Sequence, residues 1–203
     1  MTAESLALVE LDSVALGFAA LDALVKRAEV LVLEANLVEP GRFLLLFAGG
    51  VAEVQESYAA CTERAGDGVV DRLLLPMVHP ALLAGLRGIE DRDGELDAIG
   101  VIEGRTVAGT LHAADRSLKD ADVTLAGIRV AVGLGGRAFF VVHGPQHDVE
   151  AAIAAGTAVL DERQSLHRVE CIPRPHAEMC AWLLRRPPFD PGAAAALALG
   201  GGR

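Results

Sequence analysis

The chain has 203 residues, of which 52% are hydrophobic but only 4% aromatic, and a net charge of −10 from 18 basic and 28 acidic side chains. That length allows one large or two small domains, and the acidic balance, with no basic cluster longer than Arg185–Arg186, argues against nucleic acid as a partner. The apolar run Phe43–Ala48 is too short to cross a bilayer, and Met1–Asp12 is acidic where a secretion signal would be basic, so neither a membrane nor an exported protein is expected.

In chain order, Leu6–Glu10 reads as a strand. A helix follows, with Val14, Phe18, Leu21, Val25 and Ala28 on one face. Val30–Leu33 reads as a second strand, and a Gly-containing turn leads to a third, Phe43–Phe47. A second helix over Ala52–Arg64, a strand at Leu73–Leu75 and a short helix from about His79 complete the set. After the charged link Gly88–Asp97 the same order returns: strand Ile99–Glu103, then a helix with Val107, Leu111, Ala114, Leu118 and Ala121 on one face. Strands Val123–Leu125 and Ala138–Val142, helix His147–Leu160, strand Val169–Ile172 and a short helix from His176 follow.

The two halves match residue by residue, and such a repeat governs the fold. Glu10 pairs with Glu103 at a spacing of 93, and Asp22, Lys26 and Val30 keep that spacing to Asp115, Lys119 and Val123. Gly41-Arg42 matches Gly136-Arg137 at a spacing of 95, and Pro76 and His79 match Pro173 and His176 at 97. The spacing changes only between elements, as loop insertions would make it. The sequence thus divides into domains over 1–88 and 97–186, with a Pro-, Gly- and Ala-rich tail over 187–203 expected to be mobile.

Motifs for chemistry are weak. Gly133-x-Gly135-Gly136 lacks the third glycine of a dinucleotide loop and leads into a strand rather than a helix N-terminus. His143 and His147 are four apart, but Gly144-Pro145 between them breaks a helix, so they read as solvated turn histidines. His112 reads as a surface or interface histidine, and Asp91, Asp93 and Glu95 fall in the charged link. Cys61, Cys171 and Cys180 form no CxxC pair and suit a reducing cytosol. No catalytic residue, metal ligand or cofactor is expected.

Glu170-Cys171-Ile172-Pro173-Arg174-Pro175-His176 resembles the IPRPH segment of the bacterial microcompartment shell domain (BMC domain). Asp22-x-x-x-Lys26 and Asp115-x-x-x-Lys119 resemble that family's edge-lysine helix. The resemblance runs in order through both halves, from about Leu6 to Leu184, and implies two tandem, unpermuted BMC domains of the trimer-forming class. The fold it implies is α+β and ferredoxin-like, a four-stranded antiparallel sheet with helices on one face. Leu73–Pro80 and Gly133–Arg137 resemble the propanediol-utilisation type of that class, which holds an iron–sulfur cluster through a cysteine before a Pro-Gly pair. Here Glu39 stands before Pro40-Gly41, so no cluster is expected.

The function implied is a non-enzymatic shell tile in the cytoplasm. It would be a homotrimer mimicking a hexamer, meeting other shell hexamers and pentamers edge to edge and passing small metabolites through an axial pore. Tile-edge contacts fall on Lys26, Lys119, Arg174, His79 and His176, with Met77 where Arg174 would be in the first half. Pore-lining positions are Glu39, Pro40, Gly41 and Arg42, and Gly133, Leu134, Gly135, Gly136 and Arg137. Glycine there lets backbone approach the axis. Three Glu39 carboxylates would repel one another, with Arg42 offsetting them. A ferredoxin-like trimeric sensor of small molecules is the alternative.

Overall fold

The computed structural model describes residues 3–89, 97–131 and 133–183; the tail over 187–203 and most of the link between halves lie outside the described residues. The first half runs β1 (Ser5–Leu11), α1 (Val14–Arg27), β2 (Leu31–Val38), β3 (Arg42–Gly49), α2 (Val51–Ala65), a 3-10 turn at Gly66–Gly68, β4 (Val69–Leu75) and α3 (Pro80–Leu86). The second half repeats it as β5 (Ala98–Gly104), α4 (Val107–Asp120), β6 (Thr124–Val130), β7 (Ala138–Gly144), α5 (Gln146–Glu162), β8 (Leu166–Pro173) and α6 (Ala177–Leu183). The sheets are antiparallel, in the orders β2-β3-β1-β4 and β6-β7-β5-β8. This is the α+β, ferredoxin-like arrangement that the resemblance implies.

Strand alternation sends successive side chains to opposite faces. Ala7, Val9, Leu11, Leu45 and Phe47 meet Ala20 and Leu24 of α1 and Val54 and Cys61 of α2. The alternate residues Leu6, Leu8, Leu44 and Leu46 belong to a second cluster, which runs through Val78 and Leu82 into Leu111, Leu118, Leu125 and Ile128 of the other half. The two halves therefore share a core. In the second half the short α6 brings Met179 and Cys180 to Ile99 and Val141, on the face away from α4 and α5.

Both first helices start alike. The Ser13 hydroxyl accepts the Leu16 N–H and the Thr106 hydroxyl accepts the Gly109 N–H, each filling a donor that a helix start leaves open. The second strands run further than periodicity predicts, to Val38 and Val130. Register shifts between Val32 and Glu34 and between Leu125 and Gly127 break the alternation midway. Being edge strands, they also carry Asn36 and Arg129 without loss. His143 corrects another expectation: β7 continues through it, and it is buried rather than solvated in a turn.

The halves solve one packing problem in opposite ways. A Cβ on Gly17 would fall 2.3 Å from the Phe43 ring. At the same positions of the second half stand Thr110 and Ala138; the smaller strand residue admits the larger helix residue, whose hydroxyl donates to the Thr106 carbonyl at 2.8 Å. Gly17→Thr is expected to destabilise the fold by about 1–3 kcal/mol through overpacking. Combined with Phe43→Ala it should cost less than the sum of the two single changes in urea unfolding. Additive costs would contradict the size exchange.

Candidate functional site

The seam between the halves is built on one carboxylate. Asp115 of α4 is 4% exposed. Its Oδ1 accepts the His79 backbone N–H at 2.7 Å, and its Oδ2 accepts Lys119 Nζ at 2.6 Å. A buried carboxylate needs such partners to offset lost hydration. His79 is the N-cap of α3, its Nδ1 accepting the Ala81 N–H at 3.3 Å. Nearby, Arg163 Nη2 donates to Asp71 Oδ1 at 3.0 Å. Gly85 lies flat against Leu125 and Ile128, where a Cβ would fall 2.8 Å from Leu125.

The same stripe on α1 has no such cover. Leu111, Leu118 and Asp115 are 0%, 5% and 4% exposed, whereas their counterparts Phe18, Val25 and the Asp22 side chain are 60%, 47% and 60% exposed. Asp22 holds Lys26 at 2.7 Å in solvent. His176 repeats the His79 cap, accepting the Glu178 N–H at 3.3 Å. Arg174 and Met77 occupy the same turn in left-handed backbone, with φ of 47° and 57°. Thus Lys119 and His79 come together at the seam, while Lys26, Arg174 and His176 lie on the uncovered surfaces of α1 and of the β8–α6 end.

The β2–β3 and β6–β7 loops adjoin. A Cβ on Gly136 would sit 3.5 Å from the Glu39 carbonyl oxygen. Gly41, Gly133, Gly135 and Gly136 all have positive φ, which glycine adopts without a Cβ clash. Glu39, Pro40, Gly41, Gly133, Gly135 and Arg137 are exposed, and Arg42 and Leu134 half-buried. Arg42 does not serve Glu39. Its Nη1 lies 2.9 Å from Oε1 of Glu10, a carboxylate buried at the end of β1 that requires a cation. In the second half Glu103 and Arg137 share His167 instead, at 3.8 and 3.2 Å.

The loops offer no thiolate for a cluster. Cys61 is buried in α2, its thiol pushed up to about 12 by burial; Cys171 and Cys180 lie near α6. Among the described residues no group of three His, Cys, Asp or Glu side chains could hold a metal ion. Sequence reasoning missed Asp71, Arg163 and the burial of Asp115. The available signal was the opposite charge at matched positions, Asp71 against Arg168.

Paired sheets of this topology, with glycine loops at one end and an Asp–His seam between the halves, define a tandem shell-domain protein. Residues 5–78 and 98–175 each match the BMC domain family, and the chain belongs to it as a bacterial microcompartment shell protein. It is 38% identical over 176 residues to the bacterial microcompartment shell protein PduT of Citrobacter freundii, over 87% of this chain and 95% of that one. It is 34% identical over 84 residues to the shell protein EutM of Salmonella typhimurium, over 41% of this chain and 85% of that one. A solved microcompartment protein from Desulfitobacterium hafniense DCB superposes with a TM-score of 0.81 at 38% identity, covering 88% of this chain and 98% of that one. The fused permuted hexameric shell protein MSM0275 shares the fold at a TM-score of 0.59 and 21% identity, over 79% of this chain and 85% of that one.

Asp115→Ala should destabilise the chain by about 2 kcal/mol, because the buried His79 N–H loses a charged acceptor, whereas Asp22→Ala should leave the monomer's stability nearly unchanged. Chemical denaturation of dilute samples decides this; equal costs would contradict the seam. Burial pushes His79 below its ordinary value of 6.5, Asp115 pulling it back up and Lys119 adding to the fall. Burial likewise lowers His112, with Arg163 next in effect. Both histidines are more readily protonated unfolded, so their contribution is present above pH 6.5 and lost as pH falls through their folded values. The denaturation midpoint should therefore drop on mild acidification, and His79→Asn should flatten that drop.

Proposed function

We propose that the chain is a structural tile without catalytic activity, a homotrimer of six similar domains set edge to edge with other shell hexamers and pentamers in a microcompartment facet. The observation that carries this reading is the unequal cover of two equivalent helices. The stripe Leu111, Ala114, Asp115 and Leu118 on α4 is buried by the first half of the same chain. Its twin on α1 keeps the aspartate and the apolar neighbours but is open. A second copy presenting its β8–α6 end would cover α1 as β4 and α3 cover α4. Repeating that junction three times closes a ring, the cyclic symmetry that soluble oligomers favour.

In such a ring the loops Glu39–Arg42 and Gly133–Arg137 gather at the axis and form the pore for small metabolites. Arg42, held by Glu10, leaves the exposed Glu39 carboxylates of one loop and the Arg137 guanidiniums of the other as the charges there. Lys26, Arg174 and His176 would fall along the tile edge, and Lys119 and His79, held at the seam by Asp115, beside it; each lysine stem can pack there while its ammonium keeps its aspartate and meets carbonyls or water. The domain limits 1–88 and 97–186 and the tail 187–203 complete this reading.

Phe18→Glu should yield a folded monomer by native mass spectrometry and circular dichroism, because a charge would face the apolar partner surface; an unaltered trimer would sink the reading. With the trimer intact, Glu39→Gln should raise the passage of anionic solutes relative to neutral ones through reconstituted shells. Identical selectivity would remove Glu39 as the filter.

A further inference from the structure

Within the chain, the seam is closed near the axial end by Arg163, on the turn after α5, donating to Asp71 of β4. The repeat assigns each partner a twin. Arg163 falls beside the turn Gly66–Gly68, which carries Asp67, and Asp71 matches Arg168 of β8. The charges are exchanged: the turn is basic and the strand acidic at the internal seam, whereas the turn is acidic and the strand basic on the two surfaces left open. Asp67 is exposed, and Arg168 is 71% exposed, holding Glu170 at 2.7 Å on its own strand. A guanidinium has donors enough to keep Glu170 and take a second carboxylate.

The location fits. Val69, directly after the turn, pairs with Leu11, which also pairs with Phe43 beside the axial loop, so the turn stands at the pore end of its sheet. There the domains converge. The long side chain has moved from the turn to the strand, which keeps the reach across the junction.

Resting on the trimer proposed above, we infer that Arg168 of one copy pairs with Asp67 of the next, and that this exchanged pair enforces the alternating order of the domains. The partner surface is a second copy of this chain. Asp71 and Arg163 are already paired inside each chain, so joining two copies by their open first-half surfaces would bring Asp67 toward Asp67, and by their open second-half surfaces Arg168 toward Arg168. Both wrong junctions place like charges together, and only alternation satisfies every turn.

The experiment is charge reversal read by the trimer's dissociation in mass photometry or sedimentation. Asp67→Arg and Arg168→Asp should each weaken association by about fivefold per junction, an effect that fades with added salt. The double variant Asp67→Arg/Arg168→Asp should return to within about twofold of the parent. Both positions are exposed, so the variants should fold, which circular dichroism checks. A parent trimer with undisturbed single variants, or a double variant no better than the singles, overturns the pair alone. A monomeric parent chain overturns the assembly, and the pair with it.

Discussion

The carboxylate of Asp115 is the point on which the molecule turns. Taken out of water on α4, it requires donors, and the chain supplies them from both sides: the Lys119 ammonium one helical turn on and the backbone N–H of His79 from the other half. That bond fixes where α3 begins, because His79 is also its cap. With α3 placed, Leu82 and Gly85 close over Leu125 and Ile128, and the two sheets acquire a common core. Asp22 also has a lysine four residues on and lacks only the second part of this arrangement, a covering segment such as the one His79 provides for Asp115.

Duplication lets the two domains keep this seam while differing elsewhere. At one core position the bulk lies on the strand in the first half, as Phe43 over Gly17, and on the helix in the second, as Thr110 over Ala138. At the end of the sheets that carries these loops, the first half buries Glu10 under Arg42, whereas the second leaves Glu103 half-open beside His167. The loops diverge accordingly: one is a short Pro-Gly turn with an exposed acid, the other a longer run of left-handed glycines. The shared part of the repeat serves closure, and the divergent part lies in the loops after β2 and β6.

Much of this was legible in the sequence. The repeat, the element order and the buried stripe of α4 follow from spacing, whereas the matching stripe of α1, with Phe18 and Val25, lies open and Gly17, Ala20 and Leu24 face the core instead; β1 and β3 announce burial on both faces by their apolar runs. The second strands were cut short because a bulge resets the alternation by which strands are recognised. His143 was misplaced because Gly144 punctuates the sequence like a turn while still belonging to β7. The burial of Asp115 was illegible for a deeper reason. Both helices carry Asp-x-x-x-Lys, and which copy is covered depends on which neighbour is covalently attached, a property of connectivity rather than of local pattern. Arg42 was assigned to Glu39 by proximity in sequence, whereas the strand geometry offers it the buried Glu10.

The central claim is that the junction between copies repeats the junction within one. The most direct measurement is a structure of the assembled protein. The account predicts the Asp22 carboxylate within hydrogen-bonding distance of the neighbouring copy's His176 backbone N–H, with Phe18 and Val25 covered by its β8–α6 end. An assembly in which α1 stays open to solvent, or packs on another α1, would contradict it.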